Sequence, residues 1–347
     1  MAYDAILVVS FGGPEGPADV LPFLENVTRG RGIPAERLAE VAKHYEQFGG
    51  RSPLNDQTRA LLAALTDELE RFGHGDLPLY WGNRNWHPYL ADTVEEMARD
   101  GVTNALAFVT SAYSSYSGCR QYLDDIAQAR QRVGSSAPRI DKIRTFHDHP
   151  GFVATQAELV NGVLAGMAAD VLAQTRLAFC AHSIPVGQAD GCDYQEQLLE
   201  TARLVVDRLD HQLPWDLVFQ SRSGPQQVPW LEPDIVDHID SLDPQSVRGL
   251  VLVPIGFLSD HLEVLYDLDL VAIDHAAGRG IDARRAPTVG VHPQFVGAVR
   301  LLIEERLDPA QPRLCAGVNQ ARPDRCPVGC CPNPGRATTI VGRPAQR

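Results

Sequence analysis

No apolar run in the 347-residue chain approaches the roughly 20 residues needed to cross a bilayer, so a helical membrane span is excluded. The opening stretch MAYDAILVVSFGGPEG lacks a basic n-region and a signal-peptide cleavage site. A first strand is expected to start almost at once, in a protein of the cytoplasm. Positive charge is scarce: 31 Lys and Arg stand against 44 Asp and Glu, a net charge of −13. That argues against nucleic acid as the main partner, while leaving room for a local basic pocket. Neither a strand followed by GxGxxG nor a GxxxxGK[ST] loop occurs, so nucleotide binding has no motif support. No internal repeat is visible. What remains, 44% hydrophobic and 22% charged residues, is the composition of a soluble globular protein long enough for two domains.

Short apolar runs alternate with longer amphipathic segments. Strands are expected at 5–10, 78–81, 105–110, 177–181, 216–220, 249–255 and about 281–285. Helical patterns fall at 18–27, 56–71, 90–99, 121–133, 152–172, 194–209 and 231–241. A last helix at 293–308 carries its proline in the first turn. Such alternation predicts an α/β fold with parallel sheets. The expected divisions are an N-terminal domain at 1–150, a C-terminal domain at 151–312 and a Cys/Pro-rich tail at 313–347.

Parallel α/β sheets place ligands at the carboxyl ends of strands. In LAFCAHSIP (177–185), His182 follows an apolar run at such an end. A second strand runs into PIGFLSDHLEVLYDLD (254–269), where Asp260, Glu263 and Asp267 are spaced to share one face of an α-helix, with His261 beside them. Carboxylates on a mostly apolar helix suit the passage of hard cations or protons, although a solvated acidic face is the commoner arrangement. YWGNRNWHPYL (80–90) is rich enough in aromatics to line a pocket for a flat ligand, and equally suits ordinary packing at a strand–helix junction. Arg29, Arg31 and Arg51, with Tyr45 and Ser52, could recognise carboxylates or simply meet solvent. The Ser/Tyr-rich TSAYSSYSGCRQYLDDI (110–126) precedes a helix whose N-terminus could face an anion.

The tail from Arg313 holds four Cys, five Pro and six Arg with a single acidic residue. It cannot build a core of its own and needs something else to fix it. Cys315, Cys326, Cys330 and Cys331 match no standard zinc module in their spacing. In a cytosolic protein such clustering points to a metal or cluster cofactor before disulfides. Adjacent cysteines rarely both ligate one small centre, so three tail ligands and one remote ligand are expected.

Together these stretches resemble the ferrochelatases over nearly the whole chain. SFGGPEG (10–16), GNRNW (82–86), AHSIP (181–185), QSRSGPQQVPWLEP (220–233) and PIGFLSDHLEVLYDLD occur in family order and spacing. The likeness is strongest to the actinobacterial branch, whose members are similar to coproporphyrin ferrochelatases and carry a C-terminal cysteine tail. The resemblance implies two Rossmann-like domains flanking a porphyrin cleft (the class II chelatase fold) and insertion of Fe2+ into a free-base porphyrin. It makes His182 the essential histidine, as base or as iron ligand, and Glu263 its partner across the macrocycle, both at the substrate Fe2+. Asp260, His261 and Asp267 fall on a row assigned to metal or proton traffic. Phe11, Arg29, Arg31, Tyr45, Ser52 and Tyr122 are implied to meet the porphyrin. Some bacterial members carry Tyr at the position of Phe11, near the metal; a phenylalanine removes that ligand. The resemblance also implies a [2Fe–2S] cluster on Cys119, Cys315, Cys326 and Cys331, with Cys330 as a substitute, pinning the tail to the N-terminal domain.

The chemistry suits these residues. A porphyrin must buckle to admit a metal, and rigid walls that hold a bent ring favour that passage. Two pyrrole protons must leave, and a neutral histidine can accept one. The expected partners are porphyrin and ferrous iron, with transient contacts to other haem-pathway enzymes, in a monomer. The acceptor could still be protoporphyrin, the metal another one, or the cleft that of a haem or iron–sulfur carrier.

Overall fold

The computed structural model describes residues 2–30, 32–224, 227–317, 320–327 and 329–333. Its eight strands form two four-stranded parallel sheets. The first sheet holds β1 (Ala5–Ser10), β2 (Leu79–Asn83), β3 (Asn104–Val109) and β4 (Arg139–Lys142), in the order β2-β1-β3-β4. The second holds β5 (Thr175–His182), β6 (Trp215–Gln220), β7 (Gly249–Val253) and β8 (Asp282–Arg285), in the order β6-β5-β7-β8. The two halves therefore share one topology. The central strands β1 and β7 are buried throughout, as expected where helices cover both faces of a parallel sheet.

In each sheet the direction of winding reverses between the two middle strands, β1 and β3 or β5 and β7. A crevice opens at the carboxyl ends of strands at such a reversal. Phe11 follows β1 and His182 ends β5. The turn that leads to Glu263 follows β7.

One element crosses the expected domain division. The Pro293–Leu307 helix packs on both the Pro150–Ala165 helix and the Leu54–Arg71 helix of the first half. Phe295, Val296, Val299, Leu302 and Ile303 join Leu61, Leu65 and Leu69 in one buried cluster. Arg300 bonds Glu68 at 2.9 Å and stacks over Phe72 at 3.8 Å. The core is thus continuous between the halves.

The described part of the tail meets both halves. On the first, Asn333 donates to the Tyr116 hydroxyl at 2.7 Å, and Arg325 lies 3.8 Å from Asp141. On the second, Arg322 pairs with Asp193 at 2.8 Å and Pro332 packs tightly against Gly191. Its root is held by Arg144, which makes a two-pronged bond to Glu305 (2.9 Å each) and donates to the Leu314 carbonyl at 2.7 Å. Glu305 accepts in turn from the Leu314 amide at 3.1 Å.

Candidate functional site

His182 and Glu263 meet in the crevice of the second sheet. His182 Nε2 lies 3.5 Å from Glu263 Oε2, and the side chains are 33% and 45% exposed. They are reachable from the cleft yet ringed by protein. The His182 Nδ1–H donates to the Ser183 carbonyl at 2.5 Å. Nδ1 is then a donor, and a proton on Nε2 would face the carboxylate. Burial works against the imidazolium, but the Glu263 carboxylate overrides it, and His182 lies above the ordinary histidine value of 6.5. Burial likewise opposes the Glu263 carboxylate, while His182 and His261 hold it well below the usual range. The free protein therefore favours an imidazolium–carboxylate pair.

The two side chains are in contact, where the resemblance set them across a macrocycle from each other.

The acidic row is also rearranged. Asp260 precedes the helix, and Val264–Ala272 winds as a π-helix, so α-helical spacing does not hold. Buried positions recur every four residues, at Val264, Leu268 and Ala272. Glu263 and Asp267 sit one position earlier on adjacent turns. Asp267 accepts from the Ser221 hydroxyl and from Gln220 Nε2, the latter at 3.4 Å. Burial pushes Asp267 up to about 6, with Glu263 adding to the rise and Ser221 opposing it. Asp260 leaves the row. Its carboxylate is held by Arg285 at 3.1 Å and by the Thr288 hydroxyl at 3.1 Å, and Arg285 also grips Asp269 at 2.5 Å. His261 remains beside Glu263, 3.2 Å from Oε2.

The other expected contacts divide. Phe11 is 36% exposed, packed edge-on against Phe23 and 5.9 Å from the Arg84 guanidinium. Tyr45 is buried against Phe23, and Glu263 lies within electrostatic reach of its hydroxyl. Ser52 is buried beneath Gly13, its hydroxyl accepting from the Leu54 amide at 3.4 Å. Arg29 is exposed, and its charge reaches Tyr89. Arg31 lies outside the described residues. Tyr122 is buried in the first-half core with Arg84 over its ring at 5.1 Å.

Several contributors escaped the sequence reading. Gln220 and Ser221 were quoted in a motif without roles; Ser221 has φ +60, a left-handed conformation held where its hydroxyl meets Asp267. His44 stacks on Tyr266 at 3.9 Å across the halves. Its helix, Ala35–Glu46, carries no helical expectation above.

The cysteines form a second site. Cys119, Cys326, Cys330 and Cys331 line a cavity of about 270 Å³ with Arg120, Lys142 and Arg144. Thiol contacts run in series from Cys119 to Cys326 to Cys330 to Cys331, and on to Cys192. Cys315 is not among the residues that line the cavity. Cys192, unmarked by spacing, joins the group. Cys180 is core, its thiol donating to the Ala178 carbonyl at 3.3 Å. Among the described residues, no three or more His, Cys, Asp or Glu side chains converge as a site for a metal ion. Thiolates are the donor type that an iron–sulfur cluster takes.

The His182–Glu263 pair at the carboxyl ends of a doubly wound sheet frames the comparisons with known proteins. Residues 3–307 match the ferrochelatase family. The chain belongs to that family. It is 50% identical to the ferrochelatase of Rhodopirellula baltica over 346 residues, 99% of this chain and 98% of that one. It is 51% identical to the coproporphyrin III ferrochelatase of Streptomyces coelicolor over 353 residues, 95% and 93% of the two chains. Among solved structures it resembles SirB from Bacillus subtilis with Fe3+, at TM-score 0.54 and 11% identity, over 90% of this chain and 98% of that one. That likeness shows the two-domain chelatase fold.

Proposed function

We propose that this ferrochelatase-family chain inserts Fe2+ into coproporphyrin III in haem biosynthesis, with release of two pyrrole protons. The observation that carries the reading is the His182–Glu263 pair, open to a crevice and backed by Asp267 on the next turn. Relatives named coproporphyrin III ferrochelatases, at about half identity over most of the chain, support the acceptor.

The porphyrin and Fe2+ are both substrates. His182 can take a pyrrole proton only after losing the proton it shares with Glu263, because an imidazolium has no free lone pair. Once neutral, it accepts one proton through Nε2. Glu263 stabilises the imidazolium that forms. Asp267, titrating near 6, holds and releases protons close to neutrality, with the Ser221 hydroxyl fixing its orientation. Phe11 presents an apolar edge to the flat substrate.

Supplying Fe2+ anaerobically with each porphyrin, and following the Soret band, tests the reading. The expected result is turnover with coproporphyrin III well above that with protoporphyrin, strongly reduced in His182→Ala. Preference for protoporphyrin would reassign the acceptor. Binding without metalation would make the protein a carrier.

A second reading concerns the cysteine cavity. Cys119, Cys326 and Cys331, with Cys315 or Cys330 as the fourth thiol, would hold a [2Fe–2S] cluster, with Lys142 and Arg120 offsetting its negative charge. Such a group supplies a cross-link between the loop after β3 and the tail. No disulfide joins the described cysteines, which suits a reducing cytosol. No described helix is long and apolar enough to cross a membrane. A monomer with only transient partners completes the proposal. Purified protein should be red-brown with matching iron and sulfide, and Cys119→Ser should bleach it; colourless protein refutes the cluster.

A further inference from the structure

The strand ends that carry the reactive pair are each gripped by a buried tyrosine. Tyr194 opens the Tyr194–Val206 helix and donates its hydroxyl to the His182 carbonyl at 3.0 Å. Tyr113 lies in the loop after β3, in the other half of the molecule, and donates to the Ile255 carbonyl at 2.9 Å. Ile255 follows β7 in the turn that leads to Glu263. The two rings meet edge-on, with centroids 6.2 Å apart and planes at 87°.

Both tyrosines are core residues, Tyr113 2% and Tyr194 7% exposed. Burial pushes both phenols far up, so they remain hydroxyl donors at any working pH. A buried hydroxyl is costly unless paired, and the neighbouring core uses phenylalanine freely, at Phe146, Phe152 and Phe295. Packing alone would be met by phenylalanine here too. One hydroxyl is spent on the carbonyl of His182 itself and the other on the turn after β7 that leads to Glu263.

The seat of these rings is itself locked. Gln197, one turn along the Tyr194 helix, accepts from the Ser114 amide at 2.7 Å and donates to the Ser114 hydroxyl at 2.9 Å. Loop and helix therefore move as one unit, joined across the division between the halves.

We infer that Tyr194 and Tyr113 are positioning residues for the His182–Glu263 pair. Tyr194 fixes the backbone from which the imidazole projects, and Tyr113 fixes the turn before Glu263 relative to the first half, which forms the opposite wall of the cleft. A shift of about 1 Å at a reacting group can cost on the order of a hundredfold in rate. Neither tyrosine touches the substrate, so porphyrin affinity should be nearly untouched by loss of a hydroxyl. The inference rests on the proposed function for its kinetic test.

Tyr194→Phe and Tyr113→Phe, each in the full chain, remove one oxygen and keep the ring. Coproporphyrin III binding is measured by fluorescence quenching without metal, iron insertion by steady-state kinetics, and folding by thermal melting. The expected result is a kcat lowered about tenfold or more, with KM and binding of coproporphyrin III within about twofold of wild type. Two variants make the test robust to one of them melting early. A wild type that inserts iron, with both folded variants matching its kcat, overturns the inference alone. So does a loss of rate explained wholly by weaker porphyrin binding. A wild type that inserts no iron removes the proposed function and the inference with it.

Discussion

His182 and Glu263 each hold the other in its charged form, and this sets a direction for pH dependence. The histidine is raised above 6.5 by its carboxylate neighbour. Below that raised value the pair keeps its proton and cannot accept another, so insertion should rise with pH through a limb above 6.5. Glu263→Gln removes the charge that raises His182. The limb should then move to lower pH in a kcat/KM profile, because burial alone depresses the histidine. The proton acceptor is lost outright in His182→Ala, which should lower kcat by roughly 10² to 10⁴. A limb unmoved by Glu263→Gln would assign it to another group. The presence of this pair was legible in two short motifs, but its placement was not. Spacing along the chain cannot say whether two residues on different strands touch or face each other over a ligand. Cys192 went unmarked for the same reason: only folding brings it beside Cys331.

At the scale of elements, the π-helix decides which carboxylates act together. The α-helical spacing of Asp260, Glu263 and Asp267 assumed a winding that the chain does not adopt. Most of the elements were legible because hydrophobic periodicity reports burial directly. β4 was missed because its sequence, Arg-Ile-Asp-Lys, is an edge strand with charged side chains and no apolar run. The tail root gives a second prediction at this scale. Arg144 and Glu305 are 1% and 2% exposed, and breaking such a buried pair costs about 3–5 kcal/mol. Glu305→Ala should therefore lower the midpoint of chemical denaturation strongly. It should also free residues 313–317, since both polar groups of Leu314 lose or share their anchor; hydrogen exchange at Leu314 and Ala316 would report this. Unchanged protection there would show that the tail is held by its distal contacts alone.

The whole molecule is less divisible than its two like sheets imply. Composition and alternation of elements gave two α/β halves, but no local signal could show that the last helix returns to the first half. The apolar face of the Leu54–Arg71 helix is completed by the Pro293–Leu307 helix. A chain ending at residue 150 should accordingly be insoluble or bind a hydrophobic dye, despite carrying a complete four-stranded sheet. A soluble, cooperatively melting fragment would contradict this. The same crossing has a consequence for synthesis on the ribosome. Arg300 follows its partner Glu68 by 232 residues, and at about 5–20 residues per second the Leu54–Arg71 helix would wait roughly 10–50 s for the helix that covers it. Throughout that interval a leucine-rich stripe is bare, so the nascent chain is a client for holding chaperones until its final turns emerge.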